Sequence, residues 1–530
     1  MRIGGYLLSV GAAALMAASA MADELRIGVR AGGESMDPHF SAVGSNIAAI
    51  RNVFDALVGL DAQLQPVPGL AESWEVIDDT TWRFHLRPGV TFHDGSGFGA
   101  EDVVASFARI PAAAGPDGGL ATYVRRIVEI VAVDELTVDV ITNAPAATLP
   151  LDLTRLFIIP AALAADTPTS AFNAGEAAIG TGPFRLVSFA PREEMVLEPF
   201  ADYWDGASQL ERVVFREISN DGARVAALLS DRVDFIDNVP VSDIARVEAR
   251  GGYELFETTG IFIFKLFVDH REPTPRVTAR DGSALDENPF RNRLVREALS
   301  LAIDREAIAE RIMEGRGTPA SQFLTPGFFG YIDDLPPLTQ DPEQARDLLA
   351  EAGYPEGFRA ELHCTSDRLP LDGTLCAALG PMLARIGVDV TVNATPRAVY
   401  FPAQATGEYS LMMNGWSSPT GEGTFFLSSA LHTRDPDAGM GGFNHWHYSN
   451  PELDPIIREA AATLDDDTRR ALIEQGIRMA RDDMAAIPIV NLNVAWAGRS
   501  GAYAFTPRMD QETLAVNFDP LDRAGARRSE

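Results

Sequence analysis

The chain has 530 residues, of which 46% are hydrophobic and 22% are charged, and its formal net charge at pH 7 is −31. This composition is ordinary for a folded globular protein, and the length exceeds what one hydrophobic core usually serves, so we expect two or three domains. The strong negative charge excludes nucleic acid and anionic membrane surfaces as favourable partners.

The first residues have the order of a secretory signal. Arg2 precedes an apolar run from Tyr6 to Ala20, and Ala20 and Ala22 supply small residues just before Asp23. This run is shorter than the roughly 20 residues that a transmembrane helix needs. We therefore predict that residues 1–22 are a signal peptide, that it is cleaved after Ala22, and that the mature protein is periplasmic and not membrane-embedded. No cysteine at the predicted cleavage point offers a site for a lipid anchor.

Along the rest of the chain, hydrophobic residues recur with the period of a strand in some segments and of a helix in others. The predicted strands are 25–29, 82–86, 136–140, 184–189, 194–199, 212–218, 234–236, 360–364, 388–392, 409–413 and 487–494. The predicted helices are 45–58, 100–110, 221–229, 291–301, 304–314, 341–352, 372–386, 451–462 and 467–483. Helix 341–352 has complete boundary signals, because Asp341 can cap it, Pro342 fits its first turn and Gly353 ends it. The alternation predicts a mixed α/β fold, with Asp269–Asn288 as an exposed linker.

The two cysteines, Cys364 and Cys376, would meet an oxidising compartment after export. They could form a disulfide or remain two buried thiols, and neither has a catalytic signature around it. The chain also lacks a Gly-x-Ser-x-Gly elbow and a His-Glu-x-x-His helix. An exported hydrolase with paired carboxylates stays open as a rival function, because acidic residues are abundant.

Several sequence blocks form a longer pattern. They are Pro68–Val76, Trp82–Gly95, Ala100–Phe107, Thr181–Phe184, Tyr203–Trp204, Val295–Arg305 and Leu348–Pro355. In this order and over nearly the whole mature chain, they resemble the peptide and nickel family of extracytoplasmic solute-binding proteins, family 5.

The resemblance implies a two-lobed periplasmic binding protein of type II, cluster C, with an extra domain and a hinge between the lobes. Domain I would combine residues 23–58, 178–264 and 498–530, domain II would be the extra domain at 59–177, and domain III would be the second lobe at 265–497. The implied function is the substrate-binding component of an ABC importer. Such a protein is a monomer that captures a peptide-sized ligand by domain closure and passes it to permease subunits, with no catalytic residues, no metal site and no cofactor.

The resemblance also identifies candidate ligand contacts after the strand predicted at 409–413. Gly415 and Trp416 match a family block whose tryptophan lies beside the ligand, and Asn414 and Ser417 flank it. An aromatic residue at a strand end is otherwise more often part of the core. Peptide-binding members usually carry an aspartate three residues after this tryptophan, which pairs with the free amino group of the ligand. Pro419 occupies that position here, which favours a ligand without a free α-amine or one held differently.

Arg368 lies in the loop before the helix predicted at 372–386, where dipeptide-binding relatives carry an arginine that binds the ligand carboxylate. A guanidinium suits that task because it donates two parallel charge-assisted hydrogen bonds. The alternative is a solvated surface arginine paired with the adjacent Asp367.

Five further residues complete the candidate set. His445 and His447 would share one face of a strand, with Trp446 on the other, and could line the cleft or contact a metal complex, although two histidines alone are weak evidence for metal. Met36 and His39 follow the first strand where relatives line the cleft, and Tyr400 precedes the Gly415 block. A metal complex or an oligosaccharide therefore remains an alternative to a peptide or an amino-acid conjugate.

Overall fold

The computed structural model describes residues 24–115 and 119–521. The predicted signal peptide and its cleavage site at Ala22 lie outside the described residues. Within those residues, no helix combines the length and the apolar character that crossing a membrane requires.

The described residues form twenty strands and sixteen α-helices. The strands are β1 (Glu24–Val29), β2 (Val58–Leu60), β3 (Pro66–Pro68), β4 (Ala71–Asp78), β5 (Thr81–Leu86), β6 (Ile127–Asp134), β7 (Thr137–Thr142), β8 (Phe184–Ala190), β9 (Glu194–Pro199), β10 (Arg212–Glu217), β11 (Phe235–Ile236), β12 (Tyr253–Val268), β13 (Val277–Ala279), β14 (Gly317–Pro319), β15 (Phe358–Thr365), β16 (Val388–Thr395), β17 (Leu411–Trp416), β18 (Ile487–Arg499), β19 (Tyr503–Phe505) and β20 (Phe518–Pro520). The helices are α1 (Gly44–Ile50), α2 (Ala100–Ala113), α3 (Ala121–Val124), α4 (Leu149–Asp152), α5 (Ala161–Ala164), α6 (Thr169–Asn173), α7 (Asp221–Leu229), α8 (Val241–Arg250), α9 (Arg293–Ala302), α10 (Arg305–Ala307), α11 (Pro342–Glu351), α12 (Asp372–Ala384), α13 (Arg397–Ala405), α14 (Gly423–Phe426), α15 (Leu453–Ala462) and α16 (Asp466–Asp482).

Twelve strands form one large mixed sheet. Its hydrogen-bonded order is β13-β15-β17-β12-β18-β11-β1-β10-β9-β8, with β16 beside β15 and β14 beside β18. We call the part built on β1 and β8–β11 the first lobe and the part built on β13 and β15–β17 the second lobe. The two parts are joined by β12 and β18, the longest strands of the sheet.

The strands β12 and β18 connect the lobes because each belongs to both. In the first lobe, residues 253–259 of β12 pair with residues 493–499 of β18, whereas residues 263–268 pair with 411–416 of β17 in the second lobe. The register with β18 breaks between Thr259 and Ile263. A break in the ladder locally weakens the pairing and bends the strand, so the crossing lies at the natural place for a hinge.

The second half of β12 shows how the sequence builds the second lobe. Successive side chains of a strand point to opposite faces. Phe264, Leu266 and Val268 accordingly enter one hydrophobic core, and Phe267 enters another on the opposite face. Helices α9, α11 and α12 cover the first of these cores, and α13 to α16 cover the second. This sheet between two helical layers confirms the predicted α/β character.

A separate four-stranded antiparallel sheet, in the order β4-β5-β7-β6, lies in the segment predicted as the extra domain. Trp82, Phe84 and Leu86 of β5 are buried and alternate with more exposed residues, as the sequence pattern predicted. Their buried face joins the core of the first lobe. The exact domain boundaries at 58, 177, 264 and 497 remain predictions.

Several predicted elements differ from the structure. The first helix ends at Ile50 rather than at 58, and the helix at 304–314 is only the short α10, which continues as a π-helical turn at Ile308–Ile312. The segment Asp269–Asn288 is not simply an exposed linker. Asp269 and Asn288 are buried, and β13 within it pairs with β15. The charged residues of this segment find partners far along the chain, which the local composition does not reveal.

Candidate ligand-binding cleft

Two cavities lie near each other where the lobes adjoin at β12. A cavity of about 260 Å³ lies on the first lobe and is lined by Gly32, Gly33 and Asn52 as well as by Phe262 of β12. A second cavity, of about 470 Å³, lies on the second lobe and contains Arg368. Phe262 lines only the first cavity, but its ring stands 5.6 Å from the Arg368 guanidinium of the second, so the two cavities are close neighbours. A cavity of the size of the second is large enough for a small organic solute.

The loop that carries Arg368 is fixed at both ends. It runs from the end of β15 to the start of α12, and a disulfide joins Cys364 in β15 to Cys376 in α12, with the Cα atoms 6.4 Å apart. Inside the loop, Oδ2 of Asp372 accepts hydrogen bonds from the backbone N–H of Arg368 at 3.1 Å and from the hydroxyl of Thr365 at 2.7 Å. The sequence left a disulfide and two free thiols equally open, and the structure contains the disulfide.

The Arg368 side chain is held by neutral oxygen atoms. Its Nη1 donates hydrogen bonds of 2.5 Å to Oδ1 of Asn414 and to the carbonyl oxygen of Gly415. Within the described residues, no carboxylate lies in ion-pair distance of this guanidinium. Asp367, the alternative partner considered from the sequence, instead accepts a hydrogen bond from the backbone N–H of Arg397 at 2.7 Å.

Burial lowers the pKa of Arg368, because the guanidinium has lost much of its water, and nearby Asp372 opposes this effect only in part. The rings of Phe262 and Phe401 flank it at 5.6 Å and 5.4 Å. A desolvated guanidinium without a charged partner interacts strongly with an anion. The arrangement therefore suits a carboxylate group of a bound solute.

Strand β17 supplies the floor of the second-lobe cavity. The strand ends at Trp416 rather than at the predicted 413, so Asn414 and Trp416 point to the same face, and both line the cavity together with Ser417. The Trp416 ring lies 5.3 Å from Phe443 and 6.4 Å from Phe425. This aromatic floor offers apolar contact to the body of a ligand.

His445 and His447 do not share one face, because the backbone between them is not extended. Residues 445–447 are not a strand, and His447 has a φ of 58°, so the predicted alternation does not apply. Trp446 between them stacks on Phe267 at 4.0 Å. His445 lines the cavity, whereas Nδ1 of His447 lies 3.5 Å from Oδ1 of Asp269. Burial lowers the pKa of both rings. In the described ranges, no group of three or more side chains is arranged to hold a metal ion.

Met36, His39 and Tyr400 do not border either cavity. Met36 belongs to the core of the first lobe, and Tyr400 is fully buried in the second. His39 is fully buried, with Nε2 at 2.9 Å from the carbonyl oxygen of Phe157 and Nδ1 at 3.1 Å from Arg109. Burial lowers the pKa of His39 to about 4. Arg109 also forms an ion pair with the fully buried Asp37 at 2.7 Å, so His39 belongs to a buried polar cluster rather than to the cleft.

Several cavity residues were missed in the sequence analysis. They are Phe262, Phe401, Gln404, Phe425 and Phe443. Phe401 follows Tyr400 directly, and the periodicity of a helix that begins at Arg397 would have placed the two on different faces. No local pattern marks Phe425 or Phe443. Both lie beside Trp416 at the end of β17 only because the chain folds back to that point.

Residues 65–437 of this chain match a family model described as "bacterial extracellular solute-binding proteins, family 5 Middle". The chain belongs to this family. The glutathione-binding protein GsiB of Pectobacterium atrosepticum is 30% identical over 474 residues, covering 87% of each chain. The dipeptide-binding protein of Escherichia coli is 28% identical over 454 residues, covering 81% of each.

The fold of this solute-binding protein is similar to folds already seen in solved structures. HbpA2 from Haemophilus parasuis superposes with a TM-score of 0.81 at 24% identity, covering 94% of this chain and 100% of the other. The predicted fold class, a two-lobed periplasmic binding protein, is thereby confirmed, and so is the predicted family.

Proposed function

We propose that this protein captures a peptide or an amino-acid conjugate between its lobes, binds the carboxylate of that solute through Arg368, and delivers it to an ABC importer of the inner membrane. The observation that carries the proposal is the half-buried Arg368 guanidinium, which faces an aromatic cavity without an ionic partner among the described residues. A guanidinium in this state gains more from binding a carboxylate than a solvated one does, because little water remains to be displaced.

The two-strand connection between the lobes supports capture by domain closure. Phe262 lines the first-lobe cavity and stands 5.6 Å from the Arg368 guanidinium of the second-lobe cavity, and it comes one residue before the segment of β12 that pairs with β17. A rotation at the register break would therefore change the width of the cleft directly above the ligand. Permease subunits would distinguish the closed form from the open form. Such a function requires binding alone, so we propose no catalytic residue and no cofactor.

The relatives support this choice of ligand class. One is named for glutathione and another for dipeptides, and both kinds of solute carry carboxylates beside peptide or amide groups. Pro419 stands where peptide-binding members usually have an acidic partner for the amino group. We therefore favour a conjugate or peptide whose amino group is absent or bound elsewhere. His445 is a candidate for a hydrogen bond to such a solute, since it lines the same cavity.

The proposed location is the periplasm, with residues 1–22 removed and the mature chain acting as a free monomer. The family description, which places these proteins outside the cell, supports export. The cleavage position and the oligomeric state are proposals, and mass spectrometry of the exported protein together with light scattering would test them.

The direct test of the function is to identify the solute that the protein carries. The mature protein would be purified from a native-like host and denatured, and the released small molecules would be analysed by mass spectrometry beside those from Arg368→Gln. A peptide or amino-acid conjugate that is present only in the parent supports the proposal. A metal complex, an oligosaccharide or a solute that Arg368→Gln retains equally would contradict it, and ligand turnover during incubation would favour the rival hydrolase.

A further inference from the structure

The turn between β2 and β3 carries a leucine side chain from the first lobe into the second. At the base of this hairpin, Val58 is fully buried in the core that the first lobe shares with the small sheet. We call residues 61–65 the hairpin tip. Leu64 in this tip is 1% exposed and belongs to the second-lobe core that α13 to α16 cover. One short hairpin therefore has its base in one lobe and its tip in the other.

The backbone of the hairpin tip is shaped to present this side chain. Oδ1 of Asp61 accepts hydrogen bonds from the backbone N–H groups of Gln63 at 2.9 Å and Gln65 at 2.8 Å, which closes the turn. Leu64 has a φ of 62°, in the left-handed region that a leucine seldom occupies. A leucine stays in this region only where surrounding contacts hold it. The burial of its side chain in the second lobe supplies such contacts.

The hairpin tip is also bonded to the register break of β12. Ile261, inside the break, donates its backbone N–H to the carbonyl oxygen of Met509 at 3.2 Å, and the backbone N–H of Met509 donates to the carbonyl oxygen of Ala62 at 3.0 Å. The place where the two connecting strands lose their register is thus linked to the tip through a single residue. A rotation of the lobes at this break must therefore act on the tip.

On the second lobe, the backbone of Leu64 lies against the loop that follows β17. We call residues 417–422 the β17 loop, and two of them, Ser417 and Pro419, line the second-lobe cavity of the candidate site. Gly421 of this loop has a φ of 66°, and a Cβ atom built on it would overlap the carbonyl oxygen of Leu64. So close an approach leaves no space between the two segments. The hairpin tip therefore fixes the position of the β17 loop.

We infer that Leu64 is a positioning residue for the ligand site, which holds the β17 loop in place and makes that loop follow the rotation of the lobes. The inference rests on the proposed function, because it concerns a wall of the same cavity. Leu64 itself lines neither cavity, so its effect on the solute passes through the β17 loop. Withdrawal of the tip would expose an apolar side chain to water. The tip therefore stays in the second lobe while the base of the hairpin moves with the first.

The test compares Leu64→Gly with the parent by two measurements on the full mature protein. Glycine accepts the left-handed backbone, so the substitution removes only the buried side chain. Without any ligand, hydrogen–deuterium exchange should be about tenfold faster at the amides of Gly421 and Gly423, which are hydrogen-bonded in the parent. Calorimetry with glutathione and a panel of di-, tri- and tetrapeptides should show an affinity about tenfold lower, as expected if about a tenth of the molecules keep the loop in place.

Three further variants separate positioning from loss of core packing. Leu64→Met keeps an apolar side chain of similar volume and should match the parent within about twofold in both measurements. Gly421→Ala tests the same contact from the side of the loop and should weaken binding as Leu64→Gly does. Ile457→Ala removes a fully buried side chain of α15 from the same core, outside the hairpin and the β17 loop. It should lower the stability of the protein without changing exchange at Gly421 or the affinity.

The outcomes distinguish this inference from the proposed function. Equal effects of Leu64→Gly and Ile457→Ala on the β17 loop would assign Leu64 to core packing alone and would overturn the inference. Faster loop exchange in Leu64→Gly with unchanged affinity would also overturn it, and the proposed function would stand because Arg368 carries it. A parent that binds no member of the panel would contradict the proposed function, whereas unchanged exchange in Leu64→Gly would overturn the inference independently of any ligand.

Discussion

Nη1 of Arg368 donates a hydrogen bond of 2.5 Å to Oδ1 of Asn414, a residue from a different element of the second lobe. Asn414 is in β17, whereas Arg368 belongs to the loop between β15 and α12. This contact fixes the guanidinium over the floor of the cavity without neutralising its charge. Binding of an anion there requires no prior loss of an ion pair, which favours both affinity and selectivity for carboxylates.

The first prediction concerns the charge and shape of the Arg368 side chain. Arg368→Gln should weaken the binding of a free-carboxylate peptide about tenfold to a hundredfold, and Arg368→Lys should restore only part of the loss, because an ammonium cannot form the paired hydrogen bonds of a guanidinium. Calorimetry with the free acid and the C-terminal amide would measure both effects. Arg359→Gln is the control, since Arg359 is an exposed residue of the same lobe that pairs loosely with Asp389 at 3.8 Å. A variant that still prefers the free acid over the amide would contradict the assignment.

The second prediction concerns the disulfide below the Arg368 loop. Cys364 and Cys376 are both fully buried, and 12 positions separate them in the sequence. Closing a loop of this length stabilises a protein by about 3 kcal/mol, chiefly by restricting the unfolded chain. Replacing both cysteines with alanine should lower the free energy of unfolding in urea by about that amount, and it should weaken ligand binding because the loop loses one anchor.

Treatment of the parent with a reductant under unfolding conditions provides the matched comparison. Reduced parent should unfold at a lower urea concentration than oxidised parent, whereas the double alanine variant should be indifferent to the reductant. Two titratable thiols in denatured, unreduced protein would show that the bond does not form.

Two elements were predicted correctly from the sequence because the signals that define them are local. Asp341 accepts hydrogen bonds from the backbone N–H groups of Glu343 and Gln344, as the capping pattern predicted, and α7 occupies the predicted 221–229. The positions of Arg368 and Trp416 followed from the family resemblance, which places motifs in a known fold. The sequence alone would have indicated only a large exported α/β protein.

The predictions that failed concern residues whose positions depend on contacts with residues far away in the sequence. His39 is buried because Arg109, 70 positions later, pairs with Asp37 and contacts the imidazole, and no local pattern records that pairing. Asp269 is buried because its backbone N–H donates a hydrogen bond to the distant carbonyl oxygen of Ser410 at 2.8 Å and because β13 docks on β15.

The third prediction concerns Lys265, the only lysine of the chain. It is fully buried in β12 beside the Phe426 ring, and its ammonium nitrogen has no hydrogen-bond partner within the described residues. Burial lowers its pKa well below the usual 10.5. Folding therefore expels a proton that the unfolded chain retains, which costs stability at every pH between the lowered pKa and 10.5.

The sign of the pH dependence follows from this proton count. Because the unfolded state binds one more proton, the free energy of unfolding should rise with pH in that window, by at most about 1.4 kcal/mol per pH unit. Lys265→Met, which has a similar volume and no charge, should be more stable than the parent at pH 7, and the advantage should shrink between pH 8 and pH 10. Urea unfolding of both proteins at several pH values would measure it. Parallel stability curves would mean that Lys265 titrates normally.

The fourth prediction concerns the crossing between the lobes. Gly260 lies at the register break of β12, and a Cβ atom built on it would stand 2.9 Å from the backbone carbonyl oxygen of Leu492 in β18. This carbonyl belongs to the other connecting strand, so an added methyl group presses against the backbone of β18. Gly260→Ala should therefore destabilise the protein by about 1 to 3 kcal/mol, as overpacking usually does, and should hinder closure.

Closure can be followed separately from stability. Small-angle scattering with and without a bound peptide should show a smaller decrease in the radius of gyration for Gly260→Ala than for the parent, and the affinity should fall because part of the binding energy is used to force the strands apart. Gly97→Ala is the control, since a Cβ atom there meets nothing within 4 Å and the residue lies far from the crossing. If Gly260→Ala closes as fully as the parent at equal affinity, β12 and β18 do not act as the hinge, and the motion that admits the solute must be sought within one lobe.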